Sequence, residues 1–285
     1  MLFNKNFVSL LTNKESEHML NESVNREEIR LSINIPKEKK GRVLLIEPHP
    51  DDIVLSMGGS LIQCVENCID ITCLCLFSKS GEQESVRKDE NRFIWEELLG
   101  CKLLFGDLTD YSYRKEEGTN ELLTYRECVS MIHKTISAVK PDFLIGPMGI
   151  GDHIDHIIVN EALLNIAKQE FFKIFFYEDF PYANRDKYYY MKALNKIKNR
   201  LEISPFYNPI TVQLEDKAKM NMVYQSQYKL LWNEVLDLFK CYGKAIGYEG
   251  IYMKKSLYSS ELYERFWFQK VNNDNPNLLF PNGVY

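Results

Sequence analysis

Val43-Leu44-Leu45-Ile46-Glu47-Pro48-His49-Pro50-Asp51-Asp52 joins a short apolar run, rich in β-branched residues, to a polar turn with two prolines. An apolar run without alternation is the mark of a strand buried on both faces. Working outward, the pattern predicts a helix over 55–66. Ile-Asp-Ile-Thr-Cys-Leu-Cys-Leu-Phe at 69–77 predicts the next strand. A helix follows over 84–99, with Val86, Phe93, Ile94, Leu98 and Leu99 apolar and Gly100 as its stop. Strands at 101–105, 142–146 and 173–177, alternating with helices at 120–140 and 155–168, continue the rhythm. Such alternation predicts an α/β fold, a Rossmann-like doubly wound and mostly parallel sheet. The alternation stops near Pro181. Residues 182–285 are rich in Tyr and Lys, contain one good helical pattern at 214–232, and are read as a smaller C-terminal lobe packed on the core. Residues 1–41 are polar and end in Pro36-Lys37-Glu38-Lys39-Lys40-Gly41. They read as an N-terminal extension, with a short helix in its first part and a solvated linker. The expected division is thus 1–41, a core of 42–181, and a lobe of 182–285.

Composition narrows the class. The chain has 285 residues, 45% of them hydrophobic, enough for a substantial core. Thirty-five Lys and Arg against 40 Asp and Glu give a net charge of −5, so no basic field draws in nucleic acid. No apolar stretch reaches the roughly 18 residues that span a bilayer, and no membrane anchor is expected. The N-terminus lacks the continuous apolar segment of a signal peptide. Seven cysteines, odd in number and mostly within apolar runs, read as reduced buried thiols of a cytoplasmic protein. Cys73 and Cys75 lie two apart in a strand and read as core packing rather than as a metal-site fragment. Tyr188-Tyr189-Tyr190 reads as the amphipathic cover of the C-terminal lobe. Homo-oligomerisation is left open.

Two clusters carry the chemistry, each directly after an expected strand: Glu47 to Asp52, and Gly151-Asp152-His153-Ile154-Asp155-His156. The chain has five histidines, and three lie in these segments. Loops after the carboxyl ends of strands meet at the switch point of a doubly wound sheet, so the clusters are expected to converge. His49, Asp52 and His156 then offer two imidazoles and a carboxylate, the donor set of a catalytic zinc site with a fourth position for water. Asp51 would face that water as general base. His153 is placed to donate to a developing oxyanion, with Asp155 holding its ring protonated. Taken singly, His-Pro-Asp-Asp is a turn and His-x-x-His a helix start; the pair in this setting points to a site.

Together these residues resemble the PIG-L/LmbE-like zinc-dependent de-N-acetylases, whose hallmarks are a His-Pro-Asp-Asp segment and, about a hundred residues on, a His-x-Asp-His segment. Here they read His49-Pro50-Asp51-Asp52 and His153-Ile154-Asp155-His156. Gly58-Gly59, Arg87-x-x-Glu90 opening a helix that ends Leu98-Leu99-Gly100, Tyr177-Glu178-Asp179-Phe180-Pro181-Tyr182, and Tyr224-Gln225-Ser226-Gln227 are similar to the family as well. The resemblance covers residues 42–230. It implies Zn2+, with Fe2+ as the alternative metal, on His49, Asp52 and His156. It also implies Asp51 as base, His153 and Asp155 at the oxyanion, and Arg87 and Asp110 on the sugar. Arg87 read locally is equally an i,i+3 partner of Glu90, and Asp110 a turn residue. The implied reaction is removal of acetyl from an N-acetylated amino-sugar conjugate, a small molecule. Ile53 departs from the family's usual Glu, and Glu47 stands where a small residue is common.

Two other readings stand beside it. Two His and one carboxylate is also the facial triad of non-haem Fe2+ oxygenases, which usually sit on antiparallel barrels. A non-catalytic carbohydrate-binding descendant of a deacetylase fits Ile53, whereas the presence of both Asp51 and His153 argues against it.

Overall fold

The computed structural model describes residues 26–36, 38–67, 69–115, 120–169, 173–228, 231–253, 255–269 and 279–285. The first strand, β1 (Gly41–Glu47), is buried from Val43 onward. Val43 and Leu45 enter one apolar core, and Leu44 and Ile46 enter another on the opposite face. That is why the run showed no alternation. β2 (Ile69–Cys75), β3 (Lys102–Phe105), β4 (Phe143–Pro147) and β5 (Lys173–Tyr177) are parallel to it. Helices α1 (Asp52–Glu66), α2 (Glu84–Arg92), α3 (Glu121–Val139) and α4 (Ile154–Gln169) connect them. The helix expected over 84–99 changes pitch partway: α2 widens into a π-helical stretch, Phe93–Leu98.

The sheet has seven strands in the order β3-β2-β1-β4-β5-β7-β6. Its first five follow a Rossmann-like order, reversing between β1 and β4. The last two come from beyond Pro181. β6 (Ile203–Pro209) and β7 (Tyr263–Gln269) pair antiparallel, and β7 joins β5 antiparallel. Pro205 and Pro209 suit an edge strand, where a missing N–H costs no ladder bond. Val284 exchanges both backbone bonds with Tyr207, at 2.8 Å each, and covers that edge. Residues 182–285 therefore extend the sheet as well as packing on it.

The helix expected over 214–232 is replaced by α6 (Leu214–Asn221), a turn region, and the long α7 (Trp232–Tyr252). The turn is held from a distance. Tyr224 Oη donates to Asn91 at 2.7 Å, Tyr228 Oη to Asn221 at 3.0 Å, and Ser226 binds Glu90 through both its amide and its hydroxyl. α5 (Lys187–Lys198) carries the tyrosine run; Tyr189 and Tyr190 pack on the core while Tyr188 is exposed. Cys73 and Cys75 share one core, as expected of thiols two apart in a strand. Cys241 is an exposed thiol, and Cys68 and the helix expected in the first part of the extension lie outside the described residues. Ile29 is buried, and the Ser32 amide donates to Asp216, so residues 29–32 are packed before the exposed 38–40 stretch. No helix among the described residues is long and apolar enough to cross a membrane.

Candidate metal centre and active site

β1 and β4 are neighbours, so the loops leaving their carboxyl ends share one crevice. His49, Asp51, Asp52, Arg87, Asp110, His153 and His156 all line one cavity of about 350 Å³. The His-Pro-Asp-Asp segment is indeed a turn, and its geometry aims the side chains. Asp51 has φ 104°, a left-handed conformation that a non-glycine residue holds only against strain, and one that concentrates at functional sites. Its carbonyl takes the Leu55 amide at 2.9 Å, while its carboxylate caps nothing and faces the cavity.

Asp52 sits between the two imidazoles. Its Oδ2 lies 3.3 Å from His49 Nδ1 and 3.3 Å from His156 Nε2. Zinc bonds of about 2.0–2.2 Å in a tetrahedron put neighbouring donors about 3.3–3.6 Å apart, so each of these two separations matches a ligand edge. The far nitrogens are held as well: His49 Nε2 meets Asp155 Oδ2 at 2.9 Å, and His156 Nδ1 meets Asp179 Oδ1 at 2.7 Å. A carboxylate behind each imidazole fixes the ring and turns its other nitrogen toward Asp52. Asp155 is itself clamped by the Tyr111 amide at 2.9 Å and by the Arg114 guanidinium at 2.5 Å.

Two sets of donors come within 4.8 Å of one another, His49 with His153 and His156, and His49 with Asp110, His153 and Asp155; Asp52 is in neither. The second group is the poorer cation site. Arg87 lies 3.5 Å from Asp110, and Arg114 is on Asp155, so both carboxylates already carry guanidinium partners.

Charge follows this geometry. Burial would raise the Asp52 pKa, but His156 and His49 reverse that and hold its carboxyl far below the usual range. Burial alone would depress His49; hydrogen bonds to Asp155 and Asp52 outweigh it and push the ring up to about 9. His156 is likewise raised, against burial, by Asp52 and Asp179. Burial, then the charge of Asp52, push Asp51 well above an ordinary aspartate.

His153 differs from expectation. Burial, followed by the neighbouring His49 and His156, lowers its pKa to about 4, so the ring is neutral at pH 7. Its Nδ1 is buried without a hydrogen-bond partner among the described residues. Asp155 serves His49 instead of holding a protonated His153, because residues two apart at a helix start point apart. Arg87 faces the cavity and Asp110, while Glu90 is taken by Arg26 and Ser226, so the local Arg87–Glu90 pairing does not form. Asp110 is the expected turn residue, with Oδ1 accepting the Ser112 amide, and its Oδ2 faces Arg87 and His49. Glu47 is fully buried and accepts the Ile53 amide at 3.3 Å and Asn91 at 2.9 Å, which puts a carboxylate beneath the turn despite Ile53.

Asp179 and Arg114 are the contributors that the sequence reading left without a role. The only signal for Asp179 was its place in Tyr177 to Tyr182. The cavity's far side is formed partly by α7, which the sequence did not reveal.

Fold and site together define a class: an α/β protein with a His/Asp candidate metal centre at the switch point of a Rossmann-like sheet. Residues 44–167 match the family model PIG-L: GlcNAc-PI de-N-acetylase. The chain is 27% identical over 213 residues to a 2'-N-acetylparomamine deacetylase of Streptomyces fradiae, covering 66% of this chain and 74% of the relative. It is 30% identical over 136 residues to a diacetylchitobiose deacetylase of Thermococcus kodakarensis, covering 42% of this chain and 48% of that one. Among solved structures, the zinc-inhibited form of a teicoplanin deacetylase matches with TM-score 0.62 at 17% identity, over 82% of this chain and 100% of that one. A 4-carboxy-2-hydroxymuconate hydratase from Pseudomonas putida shares the fold with TM-score 0.54 at 15% identity, over 83% of this chain and 100% of its own. The fold thus hosts more than one reaction, and the site must select it.

Proposed function

We propose that this chain is a metal-dependent hydrolase that removes the acetyl group from an N-acetylated amino-sugar conjugate. The observation that carries the reading is Asp52 held equally between His49 and His156, each backed by a buried carboxylate, with the Asp51 carboxylate facing the same cavity. The named relatives, deacetylases of N-acetylparomamine and diacetylchitobiose, support the substrate class. His49, Asp52 and His156 would hold the cation, zinc by donor type, with iron(II) the alternative. Bound there, it would act as a Lewis acid on the amide carbonyl and on the attacking water.

Asp51 accepts a proton from that water; its raised pKa makes it a stronger base than an ordinary aspartate. The hydroxyl adds to the acyl carbon, the C–N bond breaks, and the nitrogen takes the proton to leave as an amine beside acetate. His153 donates to the carbonyl oxygen as a neutral imidazole, from a ring whose Nδ1 has no partner among the described residues. Arg87, oriented by Asp110, binds sugar hydroxyls. The test is to incubate metal-replete protein with N-acetylglucosaminides and assay free amine and acetate. Stoichiometric release supports the reading. Metal-loaded, folded protein that releases neither sinks it, and oxygen consumption instead would favour the iron oxygenase.

A further inference from the structure

A chain of hydrogen bonds runs from the N-terminal segment to the cavity. Arg26 lies 3.2 Å from Glu90, whose side chain is 1% exposed. Glu90 also accepts the Ser226 amide at 3.0 Å and the Ser226 hydroxyl. Ser226 Oγ in turn accepts from Gln227 Nε2 at 2.7 Å, and Gln227 lines the cavity. The segment that carries Arg26 is itself seated. Ile29 is buried in the core that holds Met220, Val223 and Tyr224, and Leu31 and Ile33 pack on that core. The Ser32 amide donates to Asp216 on α6 at 2.9 Å. The segment thus grips α6 and the turn after it at two points.

Each link has one polarity. A carboxylate beside a guanidinium accepts, so the single Ser226 hydroxyl proton points to Glu90. An oxygen that has given its proton can only accept, which requires the amide nitrogen of Gln227 on that side. Gln227 Oε1 is thereby turned away from Ser226, and it has no partner among the described residues. The next residue agrees. Tyr228 Oη gives its proton to Asn221 Oδ1 at 3.0 Å, because Asn221 Nδ2 is committed to the Lys217 carbonyl at 2.8 Å. Two consecutive side chains that line the cavity therefore offer it lone pairs. A ligand group that only accepts would lose water there and be mismatched, whereas an O–H or N–H donor is matched.

We propose that Arg26 and Glu90 are positioning residues for substrate selection: through Ser226 they hold the Gln227 carbonyl toward the cavity, where it takes a hydrogen-bond donor of the substrate. The donor has two sources, a hydroxyl of the acetamido sugar or an ammonium on the group attached to it. The kinetic arm of the test rests on the deacetylase reading; the binding arm does not.

The experiment pairs ligands that differ by one donor: methyl N-acetylglucosaminide against its monodeoxy analogues, and the aminoethyl glycoside against the propyl glycoside. The metal-replete full chain gives kcat and KM by amine release. The metal-replete Asp51→Asn variant, slow to turn over, gives Kd by calorimetry. In one pair the donor's advantage in KM and Kd should be about two- to tenfold larger with Gln227 than with Gln227→Met, the range of a single hydrogen bond. Comparing the four combinations isolates that contact from the ligand's others, and kcat should stay unchanged. The pair that shows the difference names the source. Arg26→Met should lose the same factor and Arg26→Lys should restore it. A ratio of KM values on one sample does not change with the folded fraction, so a loss of stability alone would not move it. Turnover with the advantage unchanged in Gln227→Met overturns the inference and leaves the deacetylase intact. An advantage lost in Gln227→Met but full in Arg26→Met removes the N-terminal segment from selection and overturns it as well. No turnover, with the Kd advantage lost in both variants, upholds the positioning chain and sinks the deacetylase. Neither turnover nor binding sinks both.

Discussion

In the proposed metal centre a proton and a divalent cation would compete for the same ring nitrogens around Asp52. His49, raised to about 9, and His156, raised well above an ordinary histidine, carry protons at pH 7.5 in the metal-free protein. Ligands must be neutral to bind, so Zn2+ uptake should release more than one proton, approaching two from these rings, and affinity should fall as the pH is lowered. Calorimetry in buffers of different ionisation enthalpy reads the number directly, and release near zero would remove both rings from the ligand set. Asp179→Asn leaves the His156 tautomer less firmly held and should weaken metal binding about 10–100-fold in a chelator competition. Asp51→Asn should keep its metal and lose about 10²–10⁴-fold in kcat, since an amide cannot take the proton; a wild-type rate would assign the base elsewhere. At this scale the sequence revealed which residues meet. It did not reveal which carboxylate serves which histidine, because that depends on helix-start geometry for Asp155 and on another strand for Asp179.

α1 is fixed to the sheet at its glycine pair. A Cβ on Gly59 would stand 2.7 Å from Ile210 Cβ, and the Gly59 and Ser60 amides donate to Glu264 at 3.1 and 2.7 Å. Gly59→Ala should therefore destabilise by about 1–3 kcal/mol, read as a lower urea midpoint at unchanged slope. The strands and helices of 43–177 were legible because each is an apolar run with its own local stops. Later elements were not, because their rules are non-local. The helical pattern at 214–232 is broken by tyrosines and a serine that anchor to Asn91, Asn221 and Glu90. β7 hides its strand character behind Glu264 and Arg265, buried only because Lys217 and Glu178 meet them.

Across the whole molecule, the C-terminal strand reaches back to the site through one carboxylate. Glu178 accepts from Arg265 Nε at 2.5 Å, Trp267 Nε1 at 3.0 Å, Tyr190 Oη at 2.9 Å and Tyr242 Oη at 2.8 Å. Its chain neighbour is Asp179, the partner of His156. Arg265→Met leaves Glu178 buried without its counter-charge, held only by neutral donors, which should cost about 3–5 kcal/mol and lower metal occupancy together, checked by melting and metal analysis on one sample. Loss of stability with full, equally tight metal would separate the strand from the site. The parallel half was foreseen from alternation alone; this long closure was not, since it joins residues far apart in the chain.

That closure also sets an order of events during synthesis. The ribosome delivers both metal motifs and Asp179 well before Arg265 and Trp267, so a nascent chain can lay down the parallel strands while the clamp behind His156 is still missing. The site is finished last, and a chain stalled short of β7 would carry every proposed ligand yet lack the frame that aims one of them.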